Sequence, residues 1–128
     1  MVVDTSALLA MLFAEPERDV FIERLAEAGD PLISAATLLE ASMVMRARTG
    51  EAGISDLDRL LEAAAVRCVA VDRAQALLAR DAFARFGKGL APAGLNYGDC
   101  FSYALAKALD RPLLFKGADF GQTDITPA

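Results

Sequence analysis

The amino-acid sequence predicts an α/β domain in which a small, mostly parallel central sheet is flanked by helices. Short apolar runs alternate along the chain with longer segments whose apolar residues recur at helical spacing. This alternation is typical of parallel strands joined by crossover helices. The length of 128 residues fits one domain, and no repeat, linker or low-complexity tract divides the chain. We therefore predict a single domain over residues 1–128.

The first half of the chain contains two predicted strands, each followed by helices. The short apolar runs MVVD and PLIS are the strands. In chain order, the helices are predicted at 5–13, 16–29, 35–50 and 54–65. Thr5 or Ser6 is the expected N-cap of the first helix and Ser55 that of the fourth, whereas Gly29 and Gly50 end the second and third.

The second half repeats the alternation around one long loop. The runs VRCVAVD and RPLLFKG predict strands, and the segments 73–87 and 99–109 predict helices. Between these helices, GKGLAPAGLNYG is rich in glycine, which is typical of a surface loop. Cys68 falls in a predicted strand and Cys100 in a predicted helix, with no metal-type spacing, so reduced and buried thiols are expected.

The composition excludes several kinds of active site. The chain has no histidine, so it cannot form a Ser-His-Asp triad or a histidine zinc site. Its formal net charge of −5 speaks against a broadly basic nucleic-acid-binding surface. A cluster of metal-binding carboxylates would, however, supply several of those charges itself. Any hydrolytic chemistry must rest on carboxylates, lysine or a metal.

Nothing in the sequence predicts a membrane protein. No apolar run reaches the roughly 18 residues of a membrane span, and the first residues lack the basic stretch of a signal peptide. We expect a cytoplasmic location.

Three aspartates occupy positions typical of functional sites. Asp4 and Asp119 follow predicted strands, and the carboxyl ends of parallel strands meet at one edge of a sheet. Asp99 begins a predicted helix directly after the glycine-rich loop. Each also has an ordinary structural alternative: Asp4 as a helix cap, Asp99 as an anion at a helix N-terminus, and Asp119 as a turn residue.

Glu40 is expected to lie on an apolar helix face. Its neighbours three and four positions away are Ala36, Thr37, Met43 and Val44. A lone charge there would be costly, so Glu40 should be paired, protonated or bound to a metal. If the four acids converge, a cation is needed to keep them ionised, and oxygen-only ligands suit Mg²⁺ or Mn²⁺ rather than zinc.

Four stretches of the chain resemble the acidic motifs of PIN-domain ribonucleases, and more narrowly those of VapC-type toxins from type II toxin–antitoxin systems. These stretches are VVDTSALLA, LLEA, LNYGDCFSYALAKAL and LLFKGADFGQTDI. The resemblance covers the whole chain in order. It implies a PIN fold and a Mg²⁺- or Mn²⁺-dependent endoribonuclease that cuts structured RNA such as tRNA. It also implies a VapB-type antitoxin partner, a homodimer or toxin–antitoxin hetero-oligomer, and DNA contact only through the antitoxin.

Carried over by position, the resemblance assigns the site residues. Asp4 and Asp99 would be the metal ligands, Asp119 would complete the site, and Glu40 would hold water or act as base. The supporting residues implied are Ser6, Asn96 and Asp124. Ala118 departs from the pattern, because relatives often carry Asn or Asp there.

Contacts to RNA and to the antitoxin are less specific predictions. The candidate cations are Arg46, Arg48, Lys88, Lys107 and Lys116, each of which is equally explained as a solvated surface charge. Lys88 is favoured because it lies in the loop before Asp99. The apolar helices 16–29 and 35–50 offer a groove for the antitoxin, although an ordinary pair of core helices would look the same.

The sequence offers two other classes of function as alternatives. A phosphoacceptor domain would use Asp4, Asp72 and Lys116, but the first strand lacks the acidic pair of such domains, and a haloacid-type phosphatase would need an aspartate where Ser6 stands. The remaining alternative is a non-catalytic PIN-fold binding or regulatory module that works with an antitoxin. Intact acids at all four positions argue against it.

Overall fold

The computed structural model describes residues 1–128, with a four-stranded sheet at its centre. The strands are β1 (Val2–Val3), β2 (Leu32–Ser34), β3 (Arg67–Val69) and β4 (Leu113–Leu114). All pair in parallel, in the order β3-β2-β1-β4. The helices are α1 (Thr5–Leu12), α2 (Arg18–Glu27), α3 (Ala35–Ala63), α4 (Arg73–Phe86) and α5 (Tyr97–Leu109), followed by a 3₁₀ turn at Phe120–Gln122. The predicted α/β fold is confirmed.

Two apolar cores lie on opposite faces of the sheet, because successive strand residues point to opposite sides. Val2 and Leu113 pack into one core with α4 and α5, whereas their neighbours Val3 and Leu114 pack into the other with α1, α2 and α3. Both faces of the sheet are thus covered by helices, as parallel sheets require. This explains why the strands are continuously apolar rather than alternating.

Several helix boundaries differ from the prediction. The N-cap of α1 is Asp4, not Thr5 or Ser6, because the Asp4 carboxylate accepts from the Ser6 amide. The predicted break at Gly50 is correct, since its φ of 64° and ψ of −147° are non-helical and divide α3 into two helical segments. The second segment, however, starts directly after Gly50 and not at residue 54. Ser55 therefore lies inside α3 and caps nothing.

Two further expectations need correction. Cys68 is exposed rather than buried, since β3 is an edge strand with little cover, whereas Cys100 is buried and both thiols are free. The helix predicted to begin at Asp99 begins at Tyr97, with Asn96 as its N-cap. Asp99 thus lies in the first helical turn. No helix of the chain combines the length and apolarity needed to cross a membrane.

Candidate active site

Asp4 lies at the carboxyl end of β1, where it is buried. Its Oδ2 accepts from the Ser6 amide at 2.9 Å and the Ser6 hydroxyl at 2.6 Å, and its Oδ1 accepts from the Ser102 hydroxyl at 2.6 Å. Its own amide donates to the Leu114 carbonyl at 2.9 Å, which ties it to β4. Hydrogen bonds to the charged form are what allow a carboxylate to remain buried. Asp4 is therefore both a helix cap and an oriented, buried carboxylate.

Asp99 lies in the first turn of α5 and forms a capping box with Asn96. The Asn96 side chain accepts from the Asp99 amide, and Asp99 Oδ2 accepts from the Asn96 amide, both at 2.9 Å. Burial raises the pKa of Asp99 to about 6, opposed by the Asn96 hydrogen bond and increased further by the charges of Asp4, Asp119 and Glu40. The predicted structural role of Asp99 in the first helical turn is confirmed. Asp4, Glu40 and Asp119 each lie near enough for their charge to raise the pKa of Asp99.

Glu40 lies on α3 with its carboxylate against the start of α5. The Thr5 hydroxyl donates to its Oε1, and a Cβ built on Gly98 would overlap the carboxylate. The predicted apolar face is only partly correct: Thr37 is buried, but the Met43 side chain is 64% exposed. Glu40 is half-buried, at the boundary between the core and the surface.

Asp119 is the most exposed of the four acids. It stands at the N-cap position of the 3₁₀ turn but makes no capping hydrogen bond with its side chain. Its charge nevertheless contributes to the raised pKa of Asp99. Asp119 therefore borders the acidic cluster from the C-terminal side, with a carboxylate free to take a ligand.

Buried hydroxyls beneath the acids were not predicted from the sequence. Ser102 is fully buried, and its hydroxyl lies 3.2 Å from that of Thr37 while donating to Asp4. This chain of hydroxyls connects α3, α5 and β1. The signal available in the sequence was a serine in the apolar run of α5, three residues after Asp99 and hence on the same side of the helix.

This arrangement of acids around a four-stranded parallel sheet can be compared with known proteins. The family model described as PIN domain matches residues 1–125. The chain belongs to the PIN-domain family. The resemblance in the motifs is thereby confirmed over almost the whole chain.

Curated relatives of this PIN domain are VapC ribonucleases. Ribonuclease VapC30 of Mycobacterium tuberculosis is 53% identical over 125 residues, covering 98% of this chain and 95% of the relative. Ribonuclease VapC of Mycolicibacterium smegmatis is 50% identical, covering 98% and 97%. The chain is thus similar to VapC ribonucleases along its full length.

Two solved structures share the fold. VapC20 of Mycobacterium tuberculosis, a toxin that cleaves the sarcin–ricin loop, superposes with a TM-score of 0.79 at 18% identity, covering 99% of this chain and 97% of that one. VapBC2 from Rickettsia felis, bound to a DNA fragment from its promoter, gives 0.75 at 18% identity, covering 98% and 94%. At this identity the likeness establishes the PIN fold alone.

Asp124 of this PIN domain takes part in a separate cluster, one to two turns further along α5 than Asp99. The Tyr103 hydroxyl donates to its Oδ1 at 2.7 Å, while Arg85 and Lys107 pair with its Oδ2 at 3.3 and 3.2 Å. Burial alone would raise its pKa, but the hydrogen bonds from Tyr103, Lys107 and Arg85 outweigh it and lower the pKa to about 2. Asp124 does not contribute to the shift of Asp99. It attaches the C-terminal segment to α4 and α5.

The candidate RNA-binding cations differ in their availability. Lys116 pairs with Glu15 and with Glu17, the latter at 3.0 Å, and the hydrogen bond that it donates to Glu15 raises its pKa. Arg46, Arg48 and Lys107 are likewise occupied, by Glu51, the Phe13 ring and Asp124. Lys88 is exposed and makes no ion pair, so it alone of the five is free to bind a phosphate.

Lys116 nevertheless contributes to the site through its backbone. Its amide donates to the Ser6 hydroxyl at 3.0 Å, and that hydroxyl donates to Asp4. The end of β4 is thereby linked to the carboxylate at the end of β1. Ser6 thus orients Asp4, as the motif resemblance implied.

The donors available for a metal are all oxygens. No three acidic side chains surround one point closely enough to enclose an ion by themselves. Mg²⁺, however, usually keeps several waters and is held by one or two carboxylates. Asp4 Oδ1 accepts one hydrogen bond and has a second lone pair, and Asp99 Oδ1 accepts none from the protein. These two oxygens are of the donor type that a hard cation prefers.

Proposed function

We propose that this PIN domain is a Mg²⁺- or Mn²⁺-dependent endoribonuclease and the toxin of a VapBC-type toxin–antitoxin pair. The observation that carries the proposal is the pairing of buried Asp4 with half-buried Asp99, whose pKa is raised to about 6 by burial and by three neighbouring acids. Such a cluster is unfavourable without a cation and favourable with one.

The proposed roles follow from which oxygens are free. Asp4 and Asp99 would hold the ion, while Ser6, Ser102 and Asn96 fix the orientation of these carboxylates. A bound divalent cation lowers the pKa of its water and offsets charge on the phosphodiester. Glu40, oriented by Thr5, accepts the proton of the attacking water, and Asp119 completes the site from the exposed side.

The proposed substrate and partner rest on the relatives. Those at 50–53% identity are named ribonucleases, and a fold neighbour is a VapBC complex on promoter DNA. We assign cytoplasmic RNA, tRNA included, as substrate, a VapB-type antitoxin as partner, and DNA contact only through that antitoxin. An apolar groove between α2 and the end of α3 offers the antitoxin a binding surface, later along α3 than predicted. Its lining residues are Ile22, Leu25, Ala26, Leu60, Ala63 and Ala64.

The test is RNA cleavage by the antitoxin-free chain, with tRNA and a mixed RNA pool, in Mg²⁺ or Mn²⁺ and in EDTA. We expect cleavage only with the metal, and its loss in Asp99→Asn. The matched control is Asp81→Asn, an exposed acid on α4 outside the cluster. Full activity in EDTA, or equal activity in Asp99→Asn, contradicts the proposal. Metal binding without cleavage of any RNA favours the non-catalytic module.

A further inference from the structure

The Lys116 ammonium is held between two carboxylates of the loop that joins α1 and α2. It forms ion pairs with Glu15 and with Glu17, the latter at 3.0 Å. Each of the three side chains is 40% exposed or less, and Glu17 Oε2, which faces Lys116, is shielded from water. One ammonium shared by two partly buried carboxylates is a network and not an ordinary surface ion pair. We call these three residues the Lys116 clamp.

The loop that supplies the two carboxylates is itself fixed to both neighbouring helices. The Glu15 amide donates to the Ala10 carbonyl of α1, and the Glu15 carbonyl accepts from the Arg18 amide at the start of α2, both at 2.9 Å. An ammonium paired with Glu15 is therefore held at a defined position relative to α1, the helix that begins directly after Asp4.

The backbone of Lys116 lies two hydrogen bonds from the buried Asp4 carboxylate. The Lys116 amide donates to the Ser6 hydroxyl at 3.0 Å, and that hydroxyl donates to Asp4 Oδ2 at 2.6 Å. A hydroxyl has a single proton to donate. Because Ser6 Oγ accepts from Lys116, its proton is directed to Asp4, so Oδ2 receives two donors from Ser6 and Oδ1 is the oxygen with spare capacity.

Lys116 also stands where the chain leaves the sheet and turns towards Asp119. β4 ends at Leu114, whose carbonyl accepts from the Asp4 amide at 2.9 Å. Gly117 follows Lys116 with a φ of 101°, in the region that favours glycine. At Lys116 itself the chain is held by the clamp and by the Ser6 hydroxyl instead of by strand pairing.

We propose that Lys116 is a positioning residue of the metal site. Its ion pairs with Glu15 and Glu17 hold its amide against Ser6, and Ser6 in turn fixes the Asp4 carboxylate for a divalent cation. The inference rests on the metal site proposed above.

Charge and positioning predict opposite effects of removing the ammonium. By charge alone, a lysine near the acids opposes the binding of a cation, so its loss would strengthen metal binding. If the clamp positions Asp4, its loss weakens metal binding. An ammonium engaged by two carboxylates would also have to leave both to reach a phosphate, which favours the positioning role over contact with RNA.

The experiment measures the Kd for Mn²⁺ on the antitoxin-free chain, without RNA, from the electron paramagnetic resonance signal of free Mn²⁺. Lys116→Met keeps the backbone amide and an unbranched side chain but removes the charge, whereas Lys116→Arg keeps a cation. The double variant Glu15→Gln/Glu17→Gln removes the opposite half of the clamp. The matched control is Arg59→Gln, which removes an exposed ion pair with Asp56 on α3. Circular dichroism melting in EDTA verifies that each variant is folded.

We expect Lys116→Met to raise the Kd for Mn²⁺ about tenfold, the lower end of the loss caused by removing a group that orients a metal ligand. Lys116→Arg should retain most of the affinity. The double carboxylate variant should also bind more weakly, and adding Lys116→Met to it should change the Kd by no more than about twofold, because the three residues act as one unit. By charge alone, that addition would restore affinity. Arg59→Gln should leave the Kd unchanged.

Two outcomes overturn the positioning role by itself. One is that Lys116→Met binds Mn²⁺ as tightly as the wild type or more tightly. The other is that Glu15→Gln/Glu17→Gln retains full affinity although Lys116→Met loses it, which would show that the ion pairs are not the means. Absence of Mn²⁺ binding in the wild type contradicts the proposed metal site and the positioning role together. Mn²⁺ binding that depends on the clamp, without cleavage of any RNA, supports the positioning role and contradicts only the nuclease.

Discussion

The Ser102 hydroxyl donates a 2.6 Å hydrogen bond to Asp4 Oδ1 across 98 residues of sequence. Both groups are buried, and the Thr37 hydroxyl lies 3.2 Å from Ser102 on the other side. The bond connects α5 to the end of β1 and leaves one lone pair of Oδ1 available. Orientation of the buried carboxylate therefore depends on a side chain outside the acidic cluster.

Replacement of Ser102 by alanine should destabilise the protein, because the buried Asp4 carboxylate loses a donor. Hydrogen bonds to charged groups contribute about 1.5–3 kcal/mol, so the free energy of unfolding should fall by that amount. Urea denaturation at pH 7 in EDTA measures it. Ser42→Ala is the control, since that hydroxyl donates only to the Leu38 carbonyl one turn earlier. Equal losses of unfolding free energy in the two variants would show that the hydrogen bond to Asp4 stabilises the protein no more than the local bond of Ser42 does.

Removal of the Asp99 charge should stabilise the metal-free protein at neutral pH. The folded-state pKa of Asp99, about 6, lies above its ordinary value of 3.8, so the folded state binds the proton more tightly and stability falls as pH rises between these values. At pH 7, Asp99→Asn should be more stable by about 1–2 kcal/mol, a figure reduced for solvent screening.

The pH dependence shows whether the stabilisation by Asp99→Asn comes from loss of the Asp99 charge. The advantage of Asp99→Asn should vanish near pH 4, where Asp99 is protonated in the folded protein as well. Urea unfolding from pH 4 to 8 in EDTA tests it. A constant difference across that range, or a destabilised variant at pH 7, contradicts the prediction. Mg²⁺ should stabilise the wild type more than the variant, since only the folded site binds the ion.

Gly98→Ala should impair the site without unfolding the chain. The added Cβ would overlap the Glu40 carboxylate, which is the far end of a flexible side chain and can move away. Displacement of a catalytic group by about 1 Å can reduce the rate about a hundredfold, so metal-dependent RNA cleavage should drop by at least about tenfold while the melting temperature is retained. Gly121→Ala, where a Cβ meets nothing within 4 Å, is the control. Unchanged cleavage in Gly98→Ala would exclude Glu40 from the reaction.

Asp124→Asn should weaken attachment of the C-terminal segment. The pKa of Asp124 is about 2, lower than usual, so its contribution is present above about pH 4 and is lost as pH falls towards 2. At pH 7 the variant should lose about 1 kcal/mol, since the network with Arg85 and Lys107 is partly exposed. The same difference should shrink in acid. Asp56→Asn removes an exposed ion pair with Arg59 and should change the free energy of unfolding little. If it destabilises the protein as much as Asp124→Asn does, the network around Asp124 contributes no more than an ordinary surface ion pair.

Much of the site could be predicted because it follows local rules. Asp4 comes directly after a strand, and parallel strands bring such positions to one edge of the sheet. Asp99 stands in the first turn of a helix. The ordinary alternatives were also correct, since both residues cap helices while belonging to the cluster. A cap and a ligand use different lone pairs of one carboxylate, so the two roles do not compete.

Other features depended on partners distant in sequence. Lys116 looked available for RNA, but the loop between α1 and α2 brings Glu15 and Glu17 to it. Asp124 looked like a further acid of the site, but Tyr103 and two cations hold it in a separate cluster between α4 and α5. Charge pairing between remote segments leaves no periodic signal in a sequence.

The sequence by itself determined the α/β class, the order of the elements and the acids that meet at the sheet edge, because hydrophobic spacing and strand polarity act over short distances along the chain. Only the tertiary structure decided which oxygens of Asp4 and Asp99 stay free, which cations remain unpaired, and that Gly98 makes room for Glu40. Those properties arise from contacts between elements, whose distances are set by how the two cores pack against the sheet.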